Sequence, residues 1–386
     1  MRRSFPFLLL VFVANGVVAA PAFAKIIAGP GVVLAGPGRM AIVWQADDRR
    51  GEVFWGADPK TLSRTVDVSA DEHDIFRAIL AGLQPRTKYY YRVKSGRAFD
   101  VPGSFVSPGG PDDSFVFVAY GDSRARPRKH AKVAAAMLRE DPALVLHTGD
   151  QVNISLTVFW REFFESAGPL LHRAPVLPTK GNHESLATPA LERPYFDWFF
   201  HEPERAPEWA SRRVVRYDGV CFIVLDTTQP CDAGTPQYAW LQAQLALAAT
   251  APDVKFRIVE SHFPPYSIST HRNSADVLRY RKAAAPLFTA YGVDLVLSGH
   301  DHNYQRAVID GVTYVVLGGG GANLDRGFKP QPWTKAFRSA LSYLRVDVSP
   351  TQLRAVAKEP DGVVFDRFTI DARNNGRGAA PAPHAN

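Results

Sequence analysis

The sequence predicts an all-β N-terminal domain followed by an α/β layered domain. Residues 25–108 contain short runs rich in β-branched and aromatic residues, separated by Gly, Pro and Asp. From residue 114 onwards, continuous apolar runs alternate with segments of helical character. Strands of that kind are buried on both faces, so helices must cover the sheet that they form. The chain of 386 residues is long enough for both domains.

The first 24 residues have the pattern of a secretory signal peptide. A basic start, "MRR", precedes an apolar stretch, and "AFA" at residues 22–24 matches an A-x-A cleavage site. The apolar run of about 16 residues is shorter than the ~20 that a membrane span needs. We therefore expect residues 1–24 to be removed, leaving no stable membrane anchor and a secreted or periplasmic protein.

The short runs of residues 25–108 are those expected of a β-sandwich. "RMAIVWQA", "GEVFWG", "DIFRAIL" and "KYYYRVKS" have the composition of strands. In the last of them Tyr89 and Tyr91 share one face after a Pro turn, a spacing that suggests immunoglobulin or fibronectin type III character. The Pro/Gly-rich stretch "VSPGGPDD", residues 106–113, is a linker, so the boundary is placed after residue 108.

The second domain is predicted to span residues 109–372. The predicted strands lie in "SFVFVAYGDSR", "ALVLHTGD", "APVLPTKGNHE", "VCFIVLDTT", "VKFRIVESH" and "VDLVLSGHDH". The predicted helices lie in "HAKVAAAMLRE", "PQYAWLQAQLALAA" and "VLRYRKAAAPLFTAYG". Residues from about 303 to 370 return to strands and are expected to complete a second sheet. The tail at 373–386 is polar and rich in Pro and Ala, which predicts disorder.

Charge and cysteine content narrow the class of protein. The net charge of +7 and the pI of about 9.3 favour anionic partners such as phosphate esters or nucleic acid. No nucleic-acid recognition motif accompanies that charge, so no specific nucleic-acid partner is expected. An oxidising compartment permits a disulfide between Cys221 and Cys231. However, a strand that starts at Cys221 carries the chain about 17 Å away, which disfavours that pairing.

Metal-type side chains follow five predicted strands of the second domain. They are Asp122 in "YGDSR", Asp150 in "HTGDQVN", Asn182 and His183 in "KGNHE", His262 in "VESH", and His300 and His302 in "GHDH". Ligands bind beyond the carboxyl ends of strands in open α/β sheets, so these residues can converge. Carboxylate, amide and imidazole ligands together suit Zn, Fe or Mn. Two such ions can share one carboxylate and clamp a phosphoryl oxygen.

At these residues the sequence resembles the calcineurin-like metallophosphoesterases. It is most similar to the purple acid phosphatase branch and its bacterial relatives with a fibronectin-like N-terminal domain. The resemblance covers nearly all of the chain that follows residue 24, and it implies a four-layer α-β-β-α sandwich for the second domain. It also implies a dinuclear centre of transition metals, whose identity among Fe, Zn and Mn stays open.

The resemblance assigns a role to each motif residue. Asp150 would bridge the two metals; Asn182, His262 and His300 would complete one site; Asp122 and His302 would serve the other. His183 would stabilise the transition state or help to protonate the leaving group. His271, nine residues beyond His262, has the spacing of a substrate-facing histidine in the plant-type enzymes, although an exposed loop histidine is an equal alternative.

Two positions depart from the pattern of the family. Asn153 occupies the position of the tyrosine in "GDxxY", which gives the purple enzymes their colour, and Arg124 that of the histidine in "DxH". Three explanations stay open for the depleted site of Asp122: water completes it, His130 at a helix start reaches it, or only the other site is tight. Arg124 cannot ligate a metal because it stays protonated, but it could hold a substrate phosphate or form an ion pair.

The function expected from these residues is that of an exported, acid phosphatase-like enzyme. A metal-bound hydroxide would attack phosphate monoesters of small molecules, with His183 and His271 supplying a proton to the departing alkoxide. A phosphodiesterase on the same dinuclear site is the alternative within this class. A non-catalytic binding or adhesion protein with a decayed metal site is the alternative of another class, and a nucleic-acid-binding protein ranks last.

Overall fold

The computed structural model of the protein describes residues 26–95, 101–186, 195–200 and 211–373. The predicted signal peptide and all but the first residue of the predicted tail lie outside the described residues. Three β-sheets, of nine, seven and four strands, organise the described part of the chain.

The strands are, in chain order, β1 (Ile26–Leu34), β2 (Met40–Ala46), β3 (Arg50–Gly56), β4 (Arg64–Ser69), β5 (Ile75–Leu80), β6 (Lys88–Ser95), β7 (Val101–Val106), β8 (Phe115–Tyr120), β9 (Leu144–His147), β10 (Val176–Pro178), β11 (Arg213–Tyr217), β12 (Val220–Val224), β13 (Phe256–Glu260), β14 (Leu295–Ser298), β15 (Tyr304–Ile309), β16 (Val312–Leu317), β17 (Thr334–Arg338), β18 (Tyr343–Val348), β19 (Gln352–Lys358) and β20 (Val364–Asp371). The α-helices are α1 (Pro127–Leu138), α2 (Thr157–Leu171), α3 (Tyr195–Phe200), α4 (Pro236–Thr250) and α5 (Ala275–Ala290). A single 3₁₀ turn covers His183–Ser185.

The N-terminal strands form the predicted β-sandwich. Strands β4-β3-β6-β7 make the four-stranded sheet, and they face β1, β2 and β5 across an apolar core. Tyr89 and Tyr91 lie side by side in that core, as their alternation predicts, and the ring of Trp44 stacks on Phe76 at 4.8 Å. The fold class predicted for this part of the chain is confirmed.

The second part of the chain is a four-layer sandwich. The nine-stranded sheet has the order β20-β19-β18-β8-β9-β10-β1-β2-β5, and the seven-stranded sheet β11-β12-β13-β14-β16-β15-β17. Apolar side chains from both sheets interdigitate between them, with Phe117 packed edge-on against Phe222 at 5.7 Å. Helices α1–α3 cover the outer face of the first sheet, and α4 and α5 cover that of the second. The α-β-β-α layering implied by the resemblance is therefore present.

The sandwich strands and the strands of the second domain share one sheet. Strand β1 pairs in parallel with β10 through Val33 and Val176, which makes β1, β2 and β5 a continuation of the nine-stranded sheet. All seven residues of β2 are buried, because one face meets the sandwich core and the other meets helices α2 and α3. The apolar run "MAIVWQA" is the signature of such a two-sided strand.

Strands β18–β20 and helix α2 differ from the sequence-based expectation. Strands β18–β20 do not complete the second sheet; they extend the first, since β18 pairs antiparallel with β8. Helix α2 was absent from the predicted elements because its sequence, "TVFWREFFESAGPLL", is rich in aromatic residues of low helix propensity and contains Pro169. Burial of Trp160, Phe163 and Phe164 against the sheet outweighs that propensity.

Both cysteines are free thiols in the core that α4 and α5 cover. The disulfide between Cys221 and Cys231, which the sequence disfavours, is not formed. Among the described residues, no helix combines the length and the apolar character that crossing a membrane requires.

Candidate metal centre

The predicted ligand residues follow the carboxyl ends of strands in both large sheets. Asp122, Asp150 and Asn182 come after β8, β9 and β10, which are parallel neighbours in the nine-stranded sheet. His262 and His300 come after β13 and β14, a parallel pair in the seven-stranded sheet. The site therefore lies where the two facing sheets end together.

Backbone strain is concentrated at three of these residues. Asp122, Asp150 and His300 have φ angles of 57°, 57° and 70°, in the left-handed region that residues with a side chain rarely occupy. Such conformations cost of order 1–3 kcal/mol each and persist where the surroundings impose them, most often at functional sites. Left-handed conformations at the ends of three strands therefore indicate a functional role for this cluster.

Glycines let the loops approach each other closely. A Cβ atom at Gly181 would lie 2.3 Å from Asp150 Oδ1, and one at Gly299 would lie 2.4 Å from Asp122 Oδ2. Any larger residue would displace a ligand oxygen. The Gly that precedes each polar residue in "GN" and "GH" is thus required by the close contact between loops.

Asp122, Asp150 and His262 form the compact centre of the cluster. One ligand atom from each lies within 4.8 Å of the others, and all three residues are at most 1% exposed. The Nε2 atom of His262 is 3.3 Å from Asp150 Oδ1 and 3.0 Å from Asn182 Oδ1. The His300 ring packs beside them, with its centroid 5.1 Å from that of His262.

The hydrogen bonds of His262 show what this centre lacks. Its Nδ1 atom is 2.9 Å from the Thr148 carbonyl oxygen, which can only accept, so Nδ1 carries the proton. Burial lowers the pKa of His262, which favours the neutral ring. Its Nε2 therefore presents a lone pair to the oxygens of Asp150 and Asn182. Asp150 Oδ1 also accepts from the His183 backbone N–H group at 3.0 Å, but with Asn182 Oδ1 facing the ring no donor lies between Nε2 and the two oxygens, and a metal cation would satisfy all three atoms.

The negative charges of the two buried carboxylates also favour a bound cation at this centre. Burial, and then the negative charge of Asp150, raise the pKa of Asp122 well above its ordinary value. Burial opposes ionisation of Asp150 as well, but the electrostatic interactions with His262, His183 and Arg124 and the hydrogen bond from the His183 backbone hold its pKa below the ordinary value. A bound metal would lower the pKa of Asp122, because a cation stabilises the ionised forms of both carboxylates at once.

The second half of the cluster contains an arginine. His302 donates from Nδ1 to the Asn323 carbonyl at 2.7 Å, which leaves Nε2 facing Asp122 Oδ1 at 3.5 Å. Arg124 lies between these groups: its Nη2 is 3.3 Å from His302 Nε2, and its Nε is 3.0 Å from Asp150 Oδ2. Arg124, which follows Asp122 by two positions in the sequence, therefore lies inside the cluster.

His183 and His271 lie at the open side of the cluster. The Nδ1 of His183 is 2.8 Å from the Asn153 carbonyl, so this histidine presents Nε2, which is 3.8 Å from Asp150 Oδ2. His271 stacks on His300 with ring centroids 4.0 Å apart and has a side chain that is 36% exposed. Its hydrogen bond to Asp301, 2.9 Å long, raises the pKa of His271.

His130 lies in the core and not in the cluster. It is 2% exposed, its Nε2 is hydrogen-bonded to the Tyr120 hydroxyl at 3.0 Å, and its ring packs against Phe163. Helix α1 turns this side chain towards α2, so the nitrogen that could have ligated a metal already has a partner. The expectation that His130 completes the site of Asp122 is not supported by this geometry.

Two positioning residues were missed by the sequence analysis. Glu184 is 3% exposed and accepts hydrogen bonds from the backbone N–H groups of Gly181, Asp150 and Val152 at 2.7, 2.9 and 3.1 Å. Asp301, fully buried, accepts from the Ser267 hydroxyl and from both the backbone and the ring of His271. The sequence signals that could have identified these two residues are the Glu that ends "GNHE" and the Asp inside "GHDH".

Comparison with known proteins agrees with the fold and with the motifs. Residues 116–304 match the family model of the calcineurin-like phosphoesterases. The chain is 26% identical to purple acid phosphatase 18 of Arabidopsis thaliana over 339 residues, which are 80% of this chain and 75% of that protein. It is also 26% identical to Fe(3+)-Zn(2+) purple acid phosphatase 12 of the same plant, across 69% of this chain and 64% of the relative.

A solved structure shares the architecture of both parts of the chain. Purple acid phosphatase PPD1 from yellow lupin (Lupinus luteus) seeds superimposes with a TM-score of 0.76 at 19% identity. The superposition covers 89% of this chain and 74% of that one, and so includes the N-terminal strands as well as the α/β layers. At this level of identity the likeness concerns the fold.

Proposed function

The chain carries a calcineurin-like phosphoesterase domain, and from that premise we propose that it hydrolyses phosphate monoesters as a metal-dependent, acid phosphatase-like enzyme. The observation that carries the proposal is the approach of two oxygens to the unprotonated His262 Nε2, Asn182 Oδ1 at 3.0 Å and Asp150 Oδ1 at 3.3 Å. The intact, buried cluster at strained strand ends favours this proposal over a binding or adhesion protein with a decayed metal site.

We assign the metal to the residues at the strand ends. Asp150, Asp122, Asn182, His262 and His300 would hold it, with His302 on the far side of Asp122. The resemblance implies two ions drawn from Fe, Zn and Mn, and one similar protein is named an Fe(3+)-Zn(2+) enzyme. When bound, such an ion supplies a nucleophile at neutral pH and neutralises charge on a phosphoryl oxygen.

The remaining polar side chains would act on the substrate. His183 presents Nε2 beside Asp150, where it can stabilise charge on the phosphate or protonate the leaving oxygen. His271 is oriented by Asp301 and partly exposed, so it is accessible to a leaving group at the open side of the cluster. Arg124 offers a planar, permanently charged group to a phosphate oxygen. The substrate is a phosphorylated small molecule, and no nucleic-acid partner is proposed.

The proposal is tested with Asp150→Ala against Asp253→Ala, an exposed aspartate that pairs with Arg216 on the surface. Metal content and hydrolysis of nitrophenyl phosphate are measured for each protein. Asp150→Ala should lose bound metal and hydrolysis together, and Asp253→Ala should keep both. Full activity in Asp150→Ala, or a wild type that binds no transition metal, would refute the proposal.

Competing nitrophenyl phosphate against bis-nitrophenyl phosphate separates a monoesterase from a diesterase. We expect the monoester to be hydrolysed with the larger kcat/KM. A preference for the diester would replace monoesterase by diesterase activity at the same site.

We also propose that the enzyme is exported, secreted or periplasmic, on the strength of the signal-peptide pattern in residues 1–24. N-terminal sequencing of the mature protein should begin at Lys25. An N-terminus that retains the apolar stretch would contradict export by cleavage.

A further inference from the structure

We propose that the guanidinium of Arg124 takes the place of a second metal ion, so that the centre holds one ion beside a permanent protein cation. The inference rests on the proposed metal-dependent function. It departs from the dinuclear centre that the resemblance implies, and it follows from how the two halves of the cluster are hydrogen-bonded.

All three nitrogens of the guanidinium point into the cluster. Nε donates to Asp150 Oδ2 at 3.0 Å, Nη2 lies 3.3 Å from His302 Nε2, and Nη1 lies 3.5 Å from Asn153 Oδ1. The side chain is only 17% exposed, so it is held inside the site and does not extend into solvent. Each of its contacts is to an atom that could otherwise have ligated a metal.

The two halves of the cluster therefore differ in kind. Around His262 Nε2 the neighbours are the oxygens of Asp150 and Asn182, and the donor to Asp150 Oδ1 is the uncharged backbone N–H group of His183. Around His302 Nε2 a donor is present, because His302 gives its other nitrogen to the Asn323 carbonyl and Arg124 fills the remaining position. One half lacks a cation, whereas the other already has one.

Three further polar side chains near Arg124 are already engaged. His130 is engaged by Tyr120, and the Ser123 hydroxyl bonds to His147 at 3.0 Å. The amide oxygen of Asn153 faces the guanidinium. A second ion that bound His302 Nε2 and Oδ2 of Asp150 would have to displace the arginine, which contacts both atoms.

Charge favours the same arrangement. Asp122 and Asp150 are the two carboxylates at the centre of the cluster, and both are fully buried. One divalent ion balances them, and Arg124 adds one positive charge for an incoming phosphate. A second divalent ion would lie within about 3–4 Å of the guanidinium in a poorly screened site, where like charges repel strongly. Unlike an ion, the arginine is also never lost to a chelator.

The decisive measurement is the number of ions per chain. The purified full-length protein is stripped, loaded with excess Zn²⁺, freed of unbound metal and analysed for zinc. Wild type should retain one ion, and Arg124→His, which replaces the cation by a ligand, should retain two. Arg128→His, the same change at an exposed arginine at the start of α1, should retain one.

Each outcome decides a different claim. Two ions in wild type with intact hydrolysis overturn the inference and leave the proposed function standing, whereas no ions and no hydrolysis overturn both. One ion in a folded Arg124→His shows that the guanidinium does not exclude the second, and the inference fails. The Mn²⁺ EPR spectrum of wild type needs no variant: an isolated-ion signal supports a single site, and a spin-coupled pair refutes it.

Discussion

Glu184 is the residue that holds the Asp150 loop in its strained conformation. Burial, and then the charge of Asp150, raise the pKa of Glu184 to about 8, while backbone hydrogen bonds oppose that rise. All three of its partners are N–H donors, so the ionised carboxylate is the form that fits the geometry. A cation at Asp150 would favour the same form.

Replacing Glu184 by Gln should therefore weaken metal binding without touching a ligand. The amide has one acceptor oxygen and an NH₂ group that must face a donor, so at least one loop N–H group is left unpaired. We expect a fall in metal affinity of about 10–100-fold, as for other residues that orient ligands. Titration with Zn²⁺ measures it, and Glu162→Gln on α2 is the control. Unchanged affinity in Glu184→Gln would contradict the positioning role.

Asn153 predicts the colour of the iron-loaded protein. The resemblance implies that a tyrosinate ligand gives the purple enzymes their colour, and the corresponding side chain here is an amide whose oxygen faces Arg124. The absorption spectrum of the Fe³⁺-loaded protein should have no intense band in the visible range. Appearance of such a band would mean that a tyrosine from elsewhere in the chain reaches the metal.

The residue types of the site could be predicted from sequence, but their pairing could not. Glycines and polar residues that follow apolar runs identify the strand ends, because the residues at a strand end are neighbours in the sequence. The contact between Arg124 and Asn153 joins loops 29 positions apart, and only the fold brings them together. His130 is close to the motif in the sequence, at the start of a helix, but that position does not determine the direction of its side chain, which is hydrogen-bonded to Tyr120 in the core.

At the scale of elements, the end of α1 is fastened to the sheet through one carboxylate. Glu140 accepts hydrogen bonds from Tyr343 at 2.7 Å, from Lys358 at 2.8 Å and from Arg345 at 2.8 Å. Partial burial opposes its ionisation, but these three partners lower the pKa of Glu140 to about 2. The contact joins α1 to β18 and β19, strands that are more than 200 positions away in the chain.

Glu140→Gln should lower the free energy of unfolding by about 1–2 kcal/mol at pH 7, the usual worth of hydrogen bonds to a charged group at a partly solvated site. Because the folded pKa is depressed, the contribution is complete above about pH 4.5 and disappears as the pH falls towards 2. Urea unfolding at several pH values measures the difference. Glu165→Gln, an exposed partner of Arg161, should change little. A constant gap down to pH 3 would contradict this account.

The assignment of β18–β20 to a sheet lay beyond sequence analysis for a related reason. Their composition predicts strands correctly, yet either sheet could have accepted them. The choice depends on the free edge of β8, next to which β18 pairs residue by residue from Leu344 with Ala119 to Val348 with Phe115. Helix α2 likewise owes its conformation to the surface that it covers and not to its own propensity.

At the scale of the whole molecule, the N-terminal sandwich is part of the enzyme's framework. The Tyr91 hydroxyl and the Ser104 N–H group both donate to the carbonyl of His172, at 3.1 and 2.9 Å, just after α2 ends. On β2, Val43 belongs to the core that the catalytic helices build over the sheet. Removing residues 26–108 would expose that face and leave β10 as a sheet edge.

We therefore predict that the described parts of the chain unfold as one cooperative unit. Calorimetry should show a single transition, because separating the sandwich exposes apolar surface on both sides of the shared sheet. Zn²⁺ should raise the temperature of that entire transition through linkage, although it binds far from the sandwich core. Val43→Ala should lower it as a whole, by an amount set by the cavity left beside α2, whereas Val66→Ala in the half-exposed strand β4 should shift it less. Two resolved transitions, of which only one responds to Zn²⁺, would show instead that the sandwich is an independent domain attached to the enzyme.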